Sequence, residues 1–185
     1  MAEVLLDMAV SLDGLIAGPG GSDAGLYDWY FKPTELSSPV IGELVEATGA
    51  IVMGRGAFAT GEEAGGWDDT PYRVPHFVIT HHPPPPLAGR RVEFVFVTNG
   101  VAAAIDAARK AAGGRYVTIG GGADIARQCL VAGLVDELRL HVVPLILGKG
   151  VRLFSGFDQA WRLTKTRVID APNVTHLRYR VDGQR

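Results

Sequence analysis

Residues 116–154 limit the possible fold more than any other part of the chain. They follow the pattern of a short apolar strand, three consecutive glycines, an amphipathic helix and a second apolar strand. A helix that begins directly after a strand presents unpaired N–H groups and the positive end of its dipole at the carboxyl end of that strand. The pattern therefore predicts an α/β fold in which this point suits an anion such as a phosphate.

The three glycines, Gly120, Gly121 and Gly122, would let the backbone approach a ligand closely, but a glycine triplet alone is a weak signal. They do not match the G-x-G-x-x-G dinucleotide fingerprint. The alternative to phosphate binding is a purely structural helix start. Asp124 lies in the first turn of the helix, and its carboxylate could interact favourably with the helix dipole without any ligand. The residues alone leave phosphate binding and a purely structural helix start equally open.

A polar turn follows the first predicted strand, at residues 3–10. Ser11 and Asp13 lie in the segment Ser-Leu-Asp-Gly directly after this strand. Ligands of α/β sheets bind at the carboxyl ends of strands, which favours a functional interpretation. A simple turn at Asp13 and Gly14 explains the same residues, and the sequence leaves both interpretations open.

The rest of the chain alternates strand and helix patterns and ends in two strands. Helices are predicted at residues 34–48 and 101–112, and strands at 50–53, 74–80 and 92–97. Gly49 is expected to end the first of these helices, and residues 57–70 are expected to form a surface loop. Residues 161–168 and 174–181 alternate in polarity, which predicts a β-hairpin.

Composition and charge exclude several classes of protein. The 185 residues are expected to form a single domain, 1–185, and the net charge of −2 gives no reason to expect nucleic acid. No apolar run is long enough to span a membrane, and the single cysteine, Cys129, favours the cytoplasm. The adjacent His81 and His82 would point to opposite faces of a strand, so no metal site is predicted.

Read in order, the motifs of the chain resemble the dihydrofolate reductase-like superfamily, and most closely its branch with the reductase domain of bacterial riboflavin biosynthesis. The matching segments are AVSLDG at 9–14 with IAG at 16–18, VMGR at 52–55, TIGGG at 118–122, LVDEL at 134–138 and PLILGKG at 144–150. The resemblance covers essentially the whole chain. It implies a three-layer α/β/α fold around a mixed, mostly parallel eight-stranded sheet, with a C-terminal antiparallel hairpin and a groove for NADPH.

The resemblance also implies roles for individual residues. Those that would bind the cofactor are Val10, Ile16, Ala17, Gly54, Arg55, Thr80, His81, Gly120, Gly121, Gly122, Ala123 and Asp124. Thr80 and His81 stand where relatives place a Ser-Arg pair against the 2′-phosphate, so the expected arginine is missing. Asp13, with Ser11 beside it, would face the substrate cleft and orient the substrate or relay a proton.

The implied function is NADPH-dependent reduction of a small heterocyclic or carbonyl substrate, as in a 5-amino-6-(5-phosphoribosylamino)uracil reductase. The zinc deaminase motifs H-x-E and P-C-x-x-C of bifunctional riboflavin enzymes are absent. Dihydrofolate reductase activity is an alternative, although Ser38 stands where folate reductases carry a carboxylate. A second alternative function is that of a nucleotide-binding module without turnover. A homodimer is expected, because relatives commonly pair and residues 138–143 alternate without obvious edge protection.

Overall fold

The structure is a computed structural model that describes residues 1–65, 67–85, 87, 89–158 and 160–184. Its strands are β1 (Val4–Ser11), β2 (Leu15–Ala17), β3 (Thr48–Gly54), β4 (His76–Ile79), β5 (Phe94–Val97), β6 (Tyr116–Gly121), β7 (Glu137–Val143), β8 (Val151–Arg152), β9 (Trp161–Ala171) and β10 (Val174–Gln184). Its α-helices are α1 (Asp28–Phe31), α2 (Ser38–Ala47), α3 (Arg55–Glu63), α4 (Val101–Ala111) and α5 (Ala123–Val131).

Within these described residues, eight strands form one sheet in the order β5-β4-β3-β6-β1-β7-β10-β9. The six strands from β5 to β7 pair in parallel, and the hairpin of β9 and β10 joins them in antiparallel. A separate antiparallel pair joins β2 to β8. The predicted mixed sheet with a C-terminal hairpin is confirmed. The carboxyl ends of β3, β6 and β1 meet at one edge, where ligands bind in α/β sheets.

The main core lies on the face of the sheet that carries α4 and α5. Val4, Leu6 and Met8 alternate along β1 and pack there with Ile105 and Cys129. Cys129 is buried, which lets it act as a small apolar residue. The opposite face of β1 carries Ala9 and belongs to a smaller core that includes aromatic residues of the segment around α1. The two faces of one strand therefore serve two different layers of the fold.

Three predictions about local structure were wrong. The helix predicted at 34–48 begins only at Ser38, with Pro39 in its first turn, and ends at Ala47. Gly49 does not end it, because this glycine lies inside β3. Residues 57–63 lie in α3, where the surface loop 57–70 was predicted. The glycines and acidic residues of this segment made the packing of Ala57 and Phe58 against the sheet hard to predict.

The argument from an unprotected edge strand was also wrong. β7 pairs with β1 on one side and β10 on the other, so it lies inside the sheet. A strand with two neighbours needs no edge protection, which explains its uninterrupted pattern. The homodimer thus loses this support and stays a prediction.

Gly49 allows β3 to pass directly beside the end of α4, and this gives a stability prediction. A Cβ at Gly49 would overlap the backbone carbonyl of Ala112, whereas a Cβ at Gly42 in α2 would meet nothing. Gly49→Ala should therefore lower the free energy of unfolding by about 1–3 kcal/mol, as overpacking does.

The matched Gly42→Ala variant should be neutral or more stable by about 0.5–1 kcal/mol, because alanine favours a helix. Urea denaturation of both variants would measure the difference. Equal stabilities for the two variants would contradict the close contact.

Candidate functional site

Two helices begin side by side at the carboxyl edge of the sheet. α3 follows β3 with Gly54 as its N-cap, and α5 follows β6 with Gly122 as its N-cap. β3 and β6 are neighbours in the sheet. Neither N-cap provides a side-chain hydrogen bond to the first turn. The N–H groups at both helix starts therefore lack the usual side-chain acceptor and favour an external anion.

The two helix starts lie close together, at positions that glycine occupies. A Cβ at Gly122 would lie 3.7 Å from the backbone nitrogen of Gly54, and φ at Gly122 is +94°. A Cβ at Gly121 would lie 2.5 Å from the Cβ of Ala57. A side chain at Gly121 would therefore clash with α3, whereas at Gly122 the left-handed φ, and not a lack of space, disfavours a side chain. The predicted Gly120–Gly122 loop is thus a place where the backbone itself forms the surface.

A cavity of about 200 Å³ lies beside the first of these helices. It is lined by Arg55, Phe58, Ala59, Glu62, Glu63, Val78, Thr80, Pro84 and Phe96. The Arg55 guanidinium donates a 2.7 Å hydrogen bond to the carbonyl of His82, and Thr80 Oγ1 accepts one from the His82 amide at 3.2 Å. Arg55 and Thr80 are therefore brought together as predicted, and they hold the turn after β4. His81 is exposed and does not line the cavity.

Asp124 does not satisfy the N–H groups of its own helix. Its carboxylate accepts hydrogen bonds from Arg127 at 2.8 Å and from Gln128 at 2.6 Å, both further along α5. The Arg127 bond is the main reason that the pKa of Asp124 is lowered. The negative charge is thus paired with a cation, and the N–H groups at the start of α5 are left for another acceptor.

Asp13 connects the turn after β1 to the loop after β7. Its carboxylate accepts a hydrogen bond from the Ser11 hydroxyl at 2.7 Å and from the backbone amides of Leu147 at 3.1 Å and Gly148 at 2.8 Å. Arg152 donates to the Asp13 carbonyl at 2.8 Å. The Ser11 hydroxyl, followed by the two amides, lowers the pKa of Asp13 to about 2.

These contacts give Asp13 and Ser11 a role that the sequence did not predict. A carboxylate with three donors and a pKa of about 2 is ionised near neutral pH, so it is poorly suited to relay a proton. Ser11 is buried, donates to Asp13 and accepts from the amide of Leu15 at 2.9 Å. The pair holds two loops together, and orientation of a substrate by Asp13 stays a prediction.

The residues predicted to lie along a nicotinamide are at the end of β1 and in β2. Val10 is buried at the end of β1, Ile16 packs against the main core, and Ala17 pairs with Val151 of β8. Gly150 has φ +147°, and a Cβ there would overlap the carbonyl of Ala17. This contact keeps the loop after β7 close to the turn after β1.

Five polar side chains beneath α1 form a hydrogen-bonded series that was not predicted from the sequence, and we call it the polar chain. Thr34 Oγ1 donates to Ser37 Oγ at 3.2 Å, and Ser37 Oγ lies 3.2 Å from His176 Nε2. The two imidazoles meet at 2.7 Å between His176 Nδ1 and His141 Nδ1. His141 Nε2 then lies 3.1 Å from Asp7 Oδ2. Asp7 interrupts the otherwise apolar strand β1, and this was the signal that could have revealed the chain.

Aromatic side chains cover the polar chain. The centroid of the Trp29 ring lies 4.4 Å from that of His141 and 5.0 Å from that of His176. Trp29 itself is 2% exposed. Burial, followed by the charge of His141, lowers the pKa of His176 to about 4. Burial raises the pKa of Tyr27 to about 12, with Asp7 adding to the effect. The aromatic side chains of Tyr27, Trp29 and Tyr30 thus belong to the smaller core, and Trp29 also covers the polar chain.

The part of the chain that the structure describes holds neither a metal-ligand cluster nor a membrane-spanning helix. No group of three or more His, Cys, Asp and Glu side chains there could hold a metal ion. No helix in the same part of the chain is long and apolar enough to cross a membrane.

The sequence matches known proteins over most of its length. Residues 2–176 match the family model described as the RibD C-terminal domain. The chain is also similar to the uncharacterized protein YyaP of Bacillus subtilis (strain 168). The two are 25% identical over 162 residues, which cover 84% of this chain and 82% of YyaP.

Solved structures share the fold at low sequence identity. A putative riboflavin biosynthesis protein from Shewanella sp. PV-4 matches with a TM-score of 0.78 and 24% identity, over 98% of this chain and 99% of that chain. A diaminohydroxyphosphoribosylaminopyrimidine deaminase/5-amino-6-(5-phosphoribosylamino)uracil reductase from Thermotoga maritima matches with a TM-score of 0.67 and 16% identity. That match covers 97% of this chain and 56% of the Thermotoga chain.

The contacts of Asp13 predict a pH-dependent contribution to stability. Because its pKa falls from 3.8 to about 2 on folding, the contribution should be complete above about pH 4 and should vanish as the pH falls towards 2. Asp13→Asn, which cannot accept all three hydrogen bonds, should unfold at a lower temperature than the wild type near neutral pH.

This difference should shrink as the pH falls from about 4 towards 2, since the wild-type carboxylate becomes protonated there. Hydrogen exchange should show lost protection at the amides of Leu147 and Gly148 in the variant. Asp106→Asn, a change at an exposed site in α4, is the control. A destabilisation that is equal at every pH would contradict the charge-based explanation.

Proposed function

Because this chain belongs to the RibD C-terminal domain family, we propose that it is a reductase that uses NADPH to reduce a small heterocyclic substrate. The observation that carries the proposal is the pair of adjoining helix starts at the carboxyl edge of the sheet. Glycine forms both N-caps, and no side chain caps the first turns. A dinucleotide has a pyrophosphate that such N–H groups recognise.

The residues at the helix starts fit a pyrophosphate in shape and charge. A clash with Ala57 disfavours a side chain at Gly121, and the left-handed φ disfavours one at Gly122, so the backbone forms the surface here. Gly120, at the end of β6, is exposed. Asp124 is paired with Arg127, so its charge does not oppose an anion at the start of α5. The predicted loop, residues 120–123, would hold the pyrophosphate through backbone N–H groups.

The cavity beside α3 fits the adenosine end of the dinucleotide. Arg55 supplies a cation that suits a phosphate, and Phe58 and Phe96 supply apolar walls that suit a base. Glu62 and Glu63 line the same cavity, and Glu62 is paired with Arg90 at 2.7 Å. The Glu63 carboxylate suits a ribose 2′-hydroxyl better than a 2′-phosphate, which makes NADH the second candidate for the cofactor.

The nicotinamide would lie at the end of β1, against Val10, Ile16 and Ala17. When bound, it would supply a hydride to the substrate. The chain itself would fix the distance between the two partners and exclude water. The contacts of Asp13 with Leu147 and Gly148 fix the loop that borders this position.

The substrate we propose is 5-amino-6-(5-phosphoribosylamino)uracil or a close chemical relative. This reductase activity is named for the Thermotoga protein, with which the chain shares its fold. Two alternatives are dihydrofolate reduction and dinucleotide binding without turnover. The absence of a carboxylate at Ser38 disfavours dihydrofolate.

Arg55 gives a direct test of the cofactor site. Arg55→Met removes the cation and the hydrogen bond to His82 but keeps a long side chain. We expect the Kd for NADPH, measured by calorimetry, to rise about tenfold or more, since charge-assisted contacts to phosphate are strong.

The control is Arg115→Met, at an exposed residue before β6 and hence at the opposite edge of the sheet. An unchanged Kd for Arg55→Met would remove this residue from the site. Wild-type protein that binds neither NADPH nor NADH at about 100 μM would contradict the dinucleotide proposal as a whole.

Turnover separates a reductase from a binding module. The wild type should oxidise NADPH only when 5-amino-6-(5-phosphoribosylamino)uracil is added, and loss of NADPH absorbance would measure the rate. The same assay with NADH would show which dinucleotide is preferred, and dihydrofolate would test the folate alternative. Binding of NADPH without oxidation by either acceptor would favour the module.

A further inference from the structure

One face of the strands β7, β10 and β9 carries apolar side chains that the rest of the protein covers only in part. We call it the apolar face, and its members are Leu140, Leu163, Val168, Leu177, Tyr179 and Val181. We propose that this face packs against the same face of a second copy of the chain, about a two-fold axis that runs across the strands. The dimer goes beyond the proposed reductase function and does not depend on it.

The strand register places the members of the apolar face side by side. Leu177 of β10 lies directly opposite Leu140 of β7 and directly opposite Val168 of β9. Val181 of β10 lies opposite Leu163 of β9 in the same way. Opposite residues share a face of the sheet, and so do residues two or four apart on one strand. The six side chains therefore form one continuous strip across three strands.

The apolar face lies on the side of the sheet that carries α4 and α5, because Leu140 and Tyr179 pack against the main core. These helices pack over β3, β4 and β6, towards the other end of the sheet. Val168 is therefore 47% exposed and Leu163 40% exposed, while Leu140, Leu177 and Tyr179 are half-buried. A sheet face turned to water normally carries polar side chains, so an apolar one indicates a surface that a partner covers.

The opposite face of the same strands is covered within the protein. Glu43 of α2 accepts hydrogen bonds from Arg139, Arg167 and Arg178, one from each strand. Arg178 lies opposite the other two arginines in the strand register. The hairpin thus directs its paired charges inwards to α2 and its apolar side chains outwards. An outward apolar face is what the packing of two sheets face to face requires.

Two charges on β9 identify a second copy as the occupant. Asp170 and Lys165 lie on either side of Val168 and share its face, since they stand opposite Thr175 and Tyr179 of β10. Both are exposed, and among the described residues neither forms an ion pair. When the β9 strands of two copies face each other in antiparallel, Asp170 of each copy meets Lys165 of the other. A two-fold axis near Val168 therefore forms two ion pairs at once.

Association of two copies through the edge of β9 is disfavoured. β9 is the last strand of the sheet among the described residues, so its outer edge is open. Arg162, Lys165 and Arg167 lie along this strand and are exposed. Two such edges side by side would bring cations together, and cations on an edge strand oppose this kind of pairing. The copies therefore join through their faces, as in a β-sandwich, and not through one continuous sheet.

Sedimentation velocity tests whether the dimer forms. Over about 1–100 μM, the wild type should shift from the 19.7 kDa chain to a species of twice this mass. Val168→Lys should raise the Kd of the dimer at least tenfold, because it places an unpaired charge in the middle of the apolar face. The control is Thr164→Lys, an exposed position on the opposite face of β9, which should leave the Kd unchanged.

Charge reversal tests the antiparallel arrangement. Asp170→Lys alone and Lys165→Asp alone should each raise the Kd at least tenfold, because like charges then meet at two points of the interface. An equimolar mixture of these two variants should associate again, since every altered side chain then meets an opposite charge on the other copy. The variant with both changes should also dimerise. Because both positions are exposed, all of these variants should keep the wild-type melting temperature within a few degrees.

Several results would overturn the proposal. A wild type that stays monomeric at about 100 μM would contradict the dimer. If that monomer cosediments with vesicles of phosphatidylcholine and phosphatidylglycerol, the apolar face belongs to a lipid surface instead. A dimer that Val168→Lys does not weaken must use another surface. Single charge reversals that associate like the wild type, or a mixture of them that stays monomeric, would contradict the pairing of Asp170 with Lys165.

Discussion

The close approach of two helix starts, at Gly54 and Gly122, is the constraint on which the rest of the candidate site depends. It brings the starts of α3 and α5 together at the ends of two neighbouring strands. Two helix N-termini in contact repel each other electrostatically, because each carries the positive end of a dipole. An arrangement that leaves both without a side-chain cap is favourable when an anion lies between them. The cavity at Arg55 and the loop held by Asp13 extend this anion site on either side.

The sequence predicted the parts of this architecture that depend on local pattern. The glycine triplet marked the start of α5, and the ordered motifs indicated the mixed sheet and its hairpin. Local pattern failed where long-range contacts decide the structure. Gly49 resembled a helix end, but its lack of a side chain serves the packing of β3 against Ala112. α3 has few apolar side chains, so its sequence shows no clear helical pattern. The apolar face of this helix can be recognised only from the packing of Ala57 and Phe58 against the sheet.

The functional residues show the same division. Gly120–Gly122 and Arg55 lie in motifs that are contiguous in the chain, so the sequence could indicate them. The polar chain unites residues from β1, the turn before α2, β7 and β10, and the contacts between them span up to 139 positions. No local spacing can reveal such a group. Asp13 was predicted to be functional because it follows β1. In the structure its carboxylate instead accepts hydrogen bonds from the backbone amides of Leu147 and Gly148.

The sheet order has a consequence for how this protein folds during synthesis. β1 is the first strand made, but both of its neighbours come late, because Val4 pairs with Val117 and Leu5 with Glu137. The strands β3, β4 and β5 can pair with one another as they leave the ribosome, since each follows its neighbour in the chain. The buried strand β1 must therefore wait for more than half of the chain, with both edges unpaired. Because the sheet is completed around β1 last, we expect the protein to fold slowly and to depend on chaperones during translation.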